Sequence, residues 1–241
     1  MKLNNMDLVT ATVRMPYALR SLMKEFPETV VAGGFIRSCI TNEPISDIDV
    51  FAQSEDRAAL LATRLSCSEQ GAAFRITRSP NALTVHTKPF PVQFITRWTY
   101  ERPEDVVPSF DFTISKAAFW YRVDGEMGRW ESLCDDRYYH DLAAKRLVYT
   151  SPIRNEDAGG TMLRILKFYQ RGYRVPLDSL GAVIGRLMTG VKGWERIGMD
   201  EDMLSKVITG LLVEVDPMVD PEHLAHLGAE RVEEKEAGND E

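Results

Sequence analysis

Asp47 and Asp49 stand one residue apart in Ser46-Asp47-Ile48-Asp49-Val50-Phe51, shortly after the pair Gly33-Gly34. In an extended strand, residues i and i+2 face the same side. Both carboxylates would then project together, backed by Ile48, Val50 and Phe51. Adjacent anions repel unless a cation lies between them. Magnesium takes oxygen ligands and keeps substrate phosphates in its shell, so it suits such a pair. The glycines close a short apolar run, 29–32, and precede 35–40, which can start a helix. A strand, a glycine turn and a helix N-terminus offer free backbone N–H groups to a phosphate, and glycine lets the phosphate come close. Arg37, one helical turn on, reaches the same place. Carboxylate pair, phosphate turn and arginine together imply nucleotide chemistry.

Each of these features also has a plainer reading. Paired glycines often mark only a turn, and aspartate often flanks one. Asp49 fits that reading poorly, because aspartate is unfavourable inside a strand that continues Val50-Phe51. The glycine pair is not a Walker loop, which ends Gly-Lys-Ser/Thr, nor does it carry the G-x-G-x-x-G of dinucleotide folds.

The elements that must position these residues are legible as patterns. Residues 7–26 read as helical, with Pro16 opening a second helix. Ser54-Glu55-Asp56 has the form of an N-cap with an acidic first turn, and Ala58, Leu61 and Leu65 share one face of the helix that follows. Three strand-like runs, 73–78, 83–87 and 92–98, are separated by proline-bearing turns and read as hairpins. Residues 103–105 open a brief helix, and 110–114 lead into 117–123, with Asp124-Gly125 as a turn before Trp130. From about Cys134 the pattern turns helical, with candidates at 136–149, 162–171, 178–189 and 201–214.

The bulk numbers set limits. A chain of 241 residues with 44% hydrophobic and 27% charged residues is an ordinary globular composition. No apolar stretch approaches a membrane span, the N-terminal residues lack a signal-peptide core, and three scattered cysteines suggest a reduced cytoplasm. Of the net charge of −7, the segment from Ala229 onward holds six acidic residues against Arg231 and Lys235, which leaves the body near neutral. That balance argues against a broad basic binding surface. Locally the sign reverses. Arg164, Lys167 and Arg171 fall at i, i+3 and i+7, a basic helix face that suits triphosphate or a nucleic-acid backbone.

The run Ala32-Gly33-Gly34-Phe35-Ile36-Arg37, followed by Asp47-Ile48-Asp49-Val50-Phe51, resembles the polymerase-β-type nucleotidyltransferase superfamily. It is most similar to the head domain of poly(A) polymerases and tRNA CCA-adding enzymes. Phe110-Asp111-Phe112-Thr113-Ile114-Ser115 is similar to that family's Asp-Phe-Thr-Ile-Asn stretch. The segment 141–147 resembles the start of its helical neck, and Leu163-Arg164-Ile165-Leu166-Lys167-Phe168 its Leu-Arg-x-Leu-Arg-Phe helix. The resemblance spans residues 28–175. It implies an α+β chain, with a polymerase-β-like head (a mixed sheet flanked by helices) over 1–133. An all-helical neck and body over 134–228 and an acidic, disordered tail over 229–241 would follow.

The activity so implied moves a nucleoside monophosphate from an NTP onto a hydroxyl, most closely an RNA 3′ end of tRNA type. Gly33 and Gly34, with Arg37, would hold the NTP phosphates. Asp47, Asp49 and Asp111 would carry two Mg²⁺ ions, with Asp111 either a metal ligand or a ribose contact. Arg164 and Lys167 would touch nucleotide or acceptor. Three departures bear on the acceptor. Arg37 is followed by Ser38 where the family has aspartate, and Gln93 stands on a strand that often carries glutamate. The Glu156-Asp157 pair lies too far upstream of Arg164 for base selection of the CCA type. A protein or small-molecule acceptor, and a non-catalytic nucleotide-binding module, therefore stand beside the RNA reading.

Overall fold

The structure is a computed structural model that describes residues 1–68, 73–125, 127–150 and 158–190. The expected helix 201–214, the Glu156-Asp157 pair, and the tail 229–241 lie outside the described residues. The chain divides into two compact units. The first comprises Met1–Arg154 and Gly172–Ser179; the second includes Asn155–Arg171 and the chain beyond Ser179.

The first unit is built on a seven-stranded mixed sheet. Its strands are β1 (Val30–Ala32), β2 (Ile48–Phe51), β3 (Ile76–Arg78), β4 (Ala82–Val85), β5 (Val92–Ile95), β6 (Ala117–Asp124) and β7 (Met127–Cys134), in spatial order β3-β4-β5-β2-β1-β6-β7. β1 runs antiparallel to β2 and β6, whereas β2 and β5 are parallel. The expected hairpins are present as antiparallel pairs, β3 with β4 and β4 with β5.

Helices cover one face. They are α1 (Asn5–Arg14), α2 (Tyr17–Glu25), α3 (Gly34–Thr41) and α4 (Glu55–Ser66), and they bury Leu19, Met23, Phe35, Ile36, Leu61 and Leu65. Complete burial of each such side chain contributes roughly 1.5–3 kcal/mol. Pro16 caps α2, and Ser54 Oγ accepts from Arg57 N–H at 3.1 Å as the N-cap of α4. On the other face, Val30, Ala32, Phe51, Ala118 and Trp120 pack with Val106 and Val107 from the 3₁₀ segment Pro103–Ser109.

One expectation fails here. The helix read over 136–149 is only α5 (Tyr138–Ala143), and Lys145 adopts φ 48°. The residues that follow are drawn into tertiary pairing. Leu147 N–H donates to Arg174 O, and Arg174 N–H to Lys145 O, each at 2.8 Å. Thr113 N–H donates to Val148 O, and Thr150 N–H to Asp111 O. Two sets of sheet-like bonds outweigh the intrinsic helix preference of the Ala143-Ala144-Lys145-Arg146 run.

In the second unit, α6 (Ala158–Gln170) buries Thr161, Ile165 and Phe168 at i, i+4 and i+7. Leu166 and Tyr169 are exposed, so the apolar stripe is narrower than the composition suggests. α7 spans Leu177–Gly190, with its residues from Leu180 onward in this unit. Among the described residues no helix is long and apolar enough to cross a membrane.

Candidate active site

The glycine turn sits where β1 hands over to α3. Gly33 has φ 77° and ψ −132°, a conformation that favours glycine, and its N–H donates to Ala117 O at 2.9 Å. A Cβ added there would lie 3.2 Å from Cε1 of Phe110 and 4.0 Å from Oδ2 of Asp49. The turn is therefore tight against one aromatic edge and open toward a carboxylate. Register explains the second contact. Ala32 pairs with Asp49 and Val30 with Phe51, so Asp49 shares the sheet face of Ala32 and Phe51 at the end of β1.

Asp47 lies just before β2 and is held at both oxygens. Ser46 Oγ donates to Oδ1 at 2.9 Å, and Gln93 Nε2 donates to Oδ2 at 3.2 Å. Gln93 is also the β5 register partner of Asp49. The residue that departs from the family's glutamate thus lies beside both aspartates and contributes a neutral amide. As a residue Asp49 is only half-buried, yet protein surrounds its carboxyl. That burial, with the Asp47 charge second, pushes Asp49 up to about 7. Without a cation, Asp49 shares a proton with solvent near neutral pH.

Arg37 is buried at 4% exposure, and Nη2 lies 3.5 Å from where a Gly34 Cβ would stand. Its guanidinium is therefore beside the turn. Its Nε is 3.6 Å from Glu43 Oε2, and Tyr173 Oη donates to Glu43 Oε1 at 3.2 Å. Glu43 lies one residue beyond the left-handed Asn42 (φ 55°). No sequence pattern marks Glu43. Phe110 and Gln93 are likewise part of the site by contact, and only Gln93 was legible beforehand.

Asp111 is buried, with its backbone oxygen bound to Thr150. Burial pushes the nearby Lys116 amine down, opposed by Asp135 and Asp111. Among the described residues no group of three or more His, Cys, Asp or Glu side chains comes together around one point. The structure gathers Gly33, Gly34, Arg37, Asp47 and Asp49 at one place, with Asp111 following Phe110 in the chain. Arg164 and Lys167 lie on α6 in the second unit, where Arg164 Nη2 donates to Thr161 Oγ1 at 3.3 Å and Lys167 is exposed.

Solved structures share this architecture. The Thermotoga maritima CCA-adding enzyme complexed with tRNA aligns with TM-score 0.51 at 16% identity, over 76% of this chain and 46% of that one. A CCA-adding enzyme complexed with CTP aligns with TM-score 0.52 at 15% identity, over 94% of this chain and 53% of that one. An apo form of a CCA-adding enzyme gives 0.53 and 15%, over 87% and 48%. At such identities the likeness is one of fold, and the chain spans about half the length of these structures. No curated protein matches the sequence.

The fold is that of a polymerase-β-type nucleotidyltransferase, with a glycine turn and an Asp-x-Asp pair at its centre. Residues 4–145 match the Gabija anti-defense 2 family, Gad2. The chain belongs to that family.

Proposed function

We propose that the chain transfers a nucleoside monophosphate from an NTP to a hydroxyl, with an RNA 3′ end as the leading acceptor. The observation that carries this reading is the placement of Asp49 Oδ2 within 4.0 Å of a Cβ position at Gly33, which sets a phosphate turn against a carboxylate pair. The donor set fits a hard divalent cation, because Asp47 and Asp49 supply two carboxylates, and Gln93 steadies Asp47 through its amide N–H. Mg²⁺ held by Asp47 and Asp49 would supply positive charge to offset that on the phosphoryl oxygens.

The protein's own groups bind and orient. The backbone at the start of α3, at Gly34, holds the β- and γ-phosphates with Arg37, and Gly33, whose own N–H is bonded to Ala117 O, lets the phosphate come close for want of a side chain. The acceptor hydroxyl oxygen bonds to the α-phosphorus, and the bond from that phosphorus to the bridging oxygen of the β-phosphate breaks. Pyrophosphate leaves, and the hydroxyl proton goes to solvent. Asp111 is assigned either to the cation, as a third carboxylate, or to the ribose or acceptor hydroxyl. Arg164 and Lys167 are assigned to nucleotide or acceptor phosphates on their chemistry alone. The family name describes an anti-defence role against Gabija, and we infer that the transfer serves that role.

A second reading is favoured by Gln93. In that reading, a site with two carboxylates and an amide binds an NTP with its cation without passing the nucleotide to an acceptor. Incubation with each α-labelled NTP, Mg²⁺, and total RNA or total protein, beside an Asp47→Ala/Asp49→Ala variant, separates these readings. Label on RNA that vanishes in the variant supports transfer to RNA, and label on protein moves the acceptor. NTP binding without label on either acceptor supports the second reading.

A further inference from the structure

We propose that Glu43, held by Tyr173, is a positioning residue that aims Arg37 at the glycine turn, so that triphosphate binding depends on the segment Gly172–Ser179. This rests on the nucleotide-binding reading above and names residues that neither the sequence pattern nor the family likeness marks.

The geometry is a three-residue relay. Arg37 Nη2 lies beside Gly34, while its other end, Nε, faces Glu43 Oε2 at 3.6 Å. That separation is an ion pair without a hydrogen bond, and Glu43 Oε2 is buried with no hydrogen-bond partner among the described residues. The second Glu43 oxygen accepts from Tyr173, which is 1% exposed. A buried ion pair adds little net stability, because desolvation offsets its attraction. It does hold a guanidinium in one orientation, and Arg37 with its fork of donors matches a phosphate. Tyr173 is itself fixed, since the neighbouring Arg174 is bonded through both N–H and C=O to residues 145 and 147. The carboxylate orienting the phosphate-binding arginine is therefore anchored by a stretch of chain that follows α6, over a hundred residues away in sequence.

The test compares nucleotide affinity in the full chain with Glu43→Gln and Tyr173→Phe, by calorimetry with Mg²⁺ and either ATP or AMP, alongside thermal melts. Loss of the ion pair that orients Arg37 lowers triphosphate affinity about tenfold in Glu43→Gln. Tyr173→Phe, which removes only a hydroxyl, lowers it about threefold. AMP, lacking the β- and γ-phosphates, changes less than about twofold in either variant. In the double variant the loss is no larger than in Glu43→Gln alone, since both act through one relay. Unchanged ATP affinity in folded variants overturns the proposal, as does an equal loss for ATP and AMP. Should Glu43→Gln not fold, Tyr173→Phe decides. A wild type that binds neither nucleotide sinks the nucleotide reading and the relay with it; binding by wild type and both variants alike sinks the relay alone.

Discussion

Replacing Asp49 with asparagine should stabilise the protein while abolishing its use of divalent cations. In the unfolded chain this carboxyl titrates at its ordinary 3.8; in the folded protein, burial and the Asp47 charge raise it to about 7. The native state therefore binds the proton more tightly than the unfolded state. The group's contribution to stability is fully present below pH 4, declines as pH rises toward 7, and is lost above that. The full difference corresponds to at most about 4 kcal/mol. Asp49 keeps some accessible surface, and local relaxation lowers the cost further, so about 1–3 kcal/mol is expected at pH 8 in EDTA. For a domain of this size that is a rise in Tm of roughly 3–10 °C for Asp49→Asn. Melts followed by circular dichroism at pH 5 and pH 8, with and without Mg²⁺, provide the assay. The wild type loses Tm between the two pH values relative to the variant, and Mg²⁺ restores it at pH 8 in the wild type only. A variant that melts at or below wild type at pH 8 in EDTA would refute the buried-charge argument.

Gln93→Glu places a third carboxylate beside Asp49 and Asp47, and should raise Mn²⁺ affinity by about tenfold or more, read by electron paramagnetic resonance. The same change should lower the metal-free Tm. Gly33→Ala forces a side chain to φ 77° with its Cβ 3.2 Å from Phe110, and should cost about 1–3 kcal/mol in urea unfolding. Asp141 is fully buried and accepts from Thr113, Arg137 and His140. Burial works to raise its pKa, but those bonds outweigh it and hold the carboxyl below its usual range. Its contribution is thus present above about pH 4 and lost as pH falls further. Asp141→Asn should cost about 1–3 kcal/mol at pH 7 and much less at pH 3, measured by urea midpoints.

The parts of the site that follow from short-range geometry were readable from the chain. Asp47 and Asp49 declare themselves by spacing, Gly33 by ending an apolar run, and Ser54 by capping α4 as its type predicts. Glu43 was hidden because its partnership with Arg37 depends on the left-handed turn at Asn42, which leaves no periodic trace. The helix expected over 136–149 was overextended because the segment's local preference says nothing of the strand-like partners awaiting it at 111–113 and 174. Gln93 was visible as a departure, but only parallel pairing of β5 with β2 shows that it sits against both aspartates.

The first unit is not one continuous stretch of chain. It takes Met1–Arg154, lets the chain go, and takes it back for Gly172–Ser179. During synthesis its sheet and glycine turn emerge complete, while Tyr173 and Arg174 are still to be made. At about 5–20 residues per second, the interval from Arg154 to Ser179 lasts roughly 1–5 s. For that time Glu43 stands without its tyrosine, and residues 145–147 without their partner. The nascent head is a half-closed clasp, and an N-terminal fragment ending near residue 150 would keep it so.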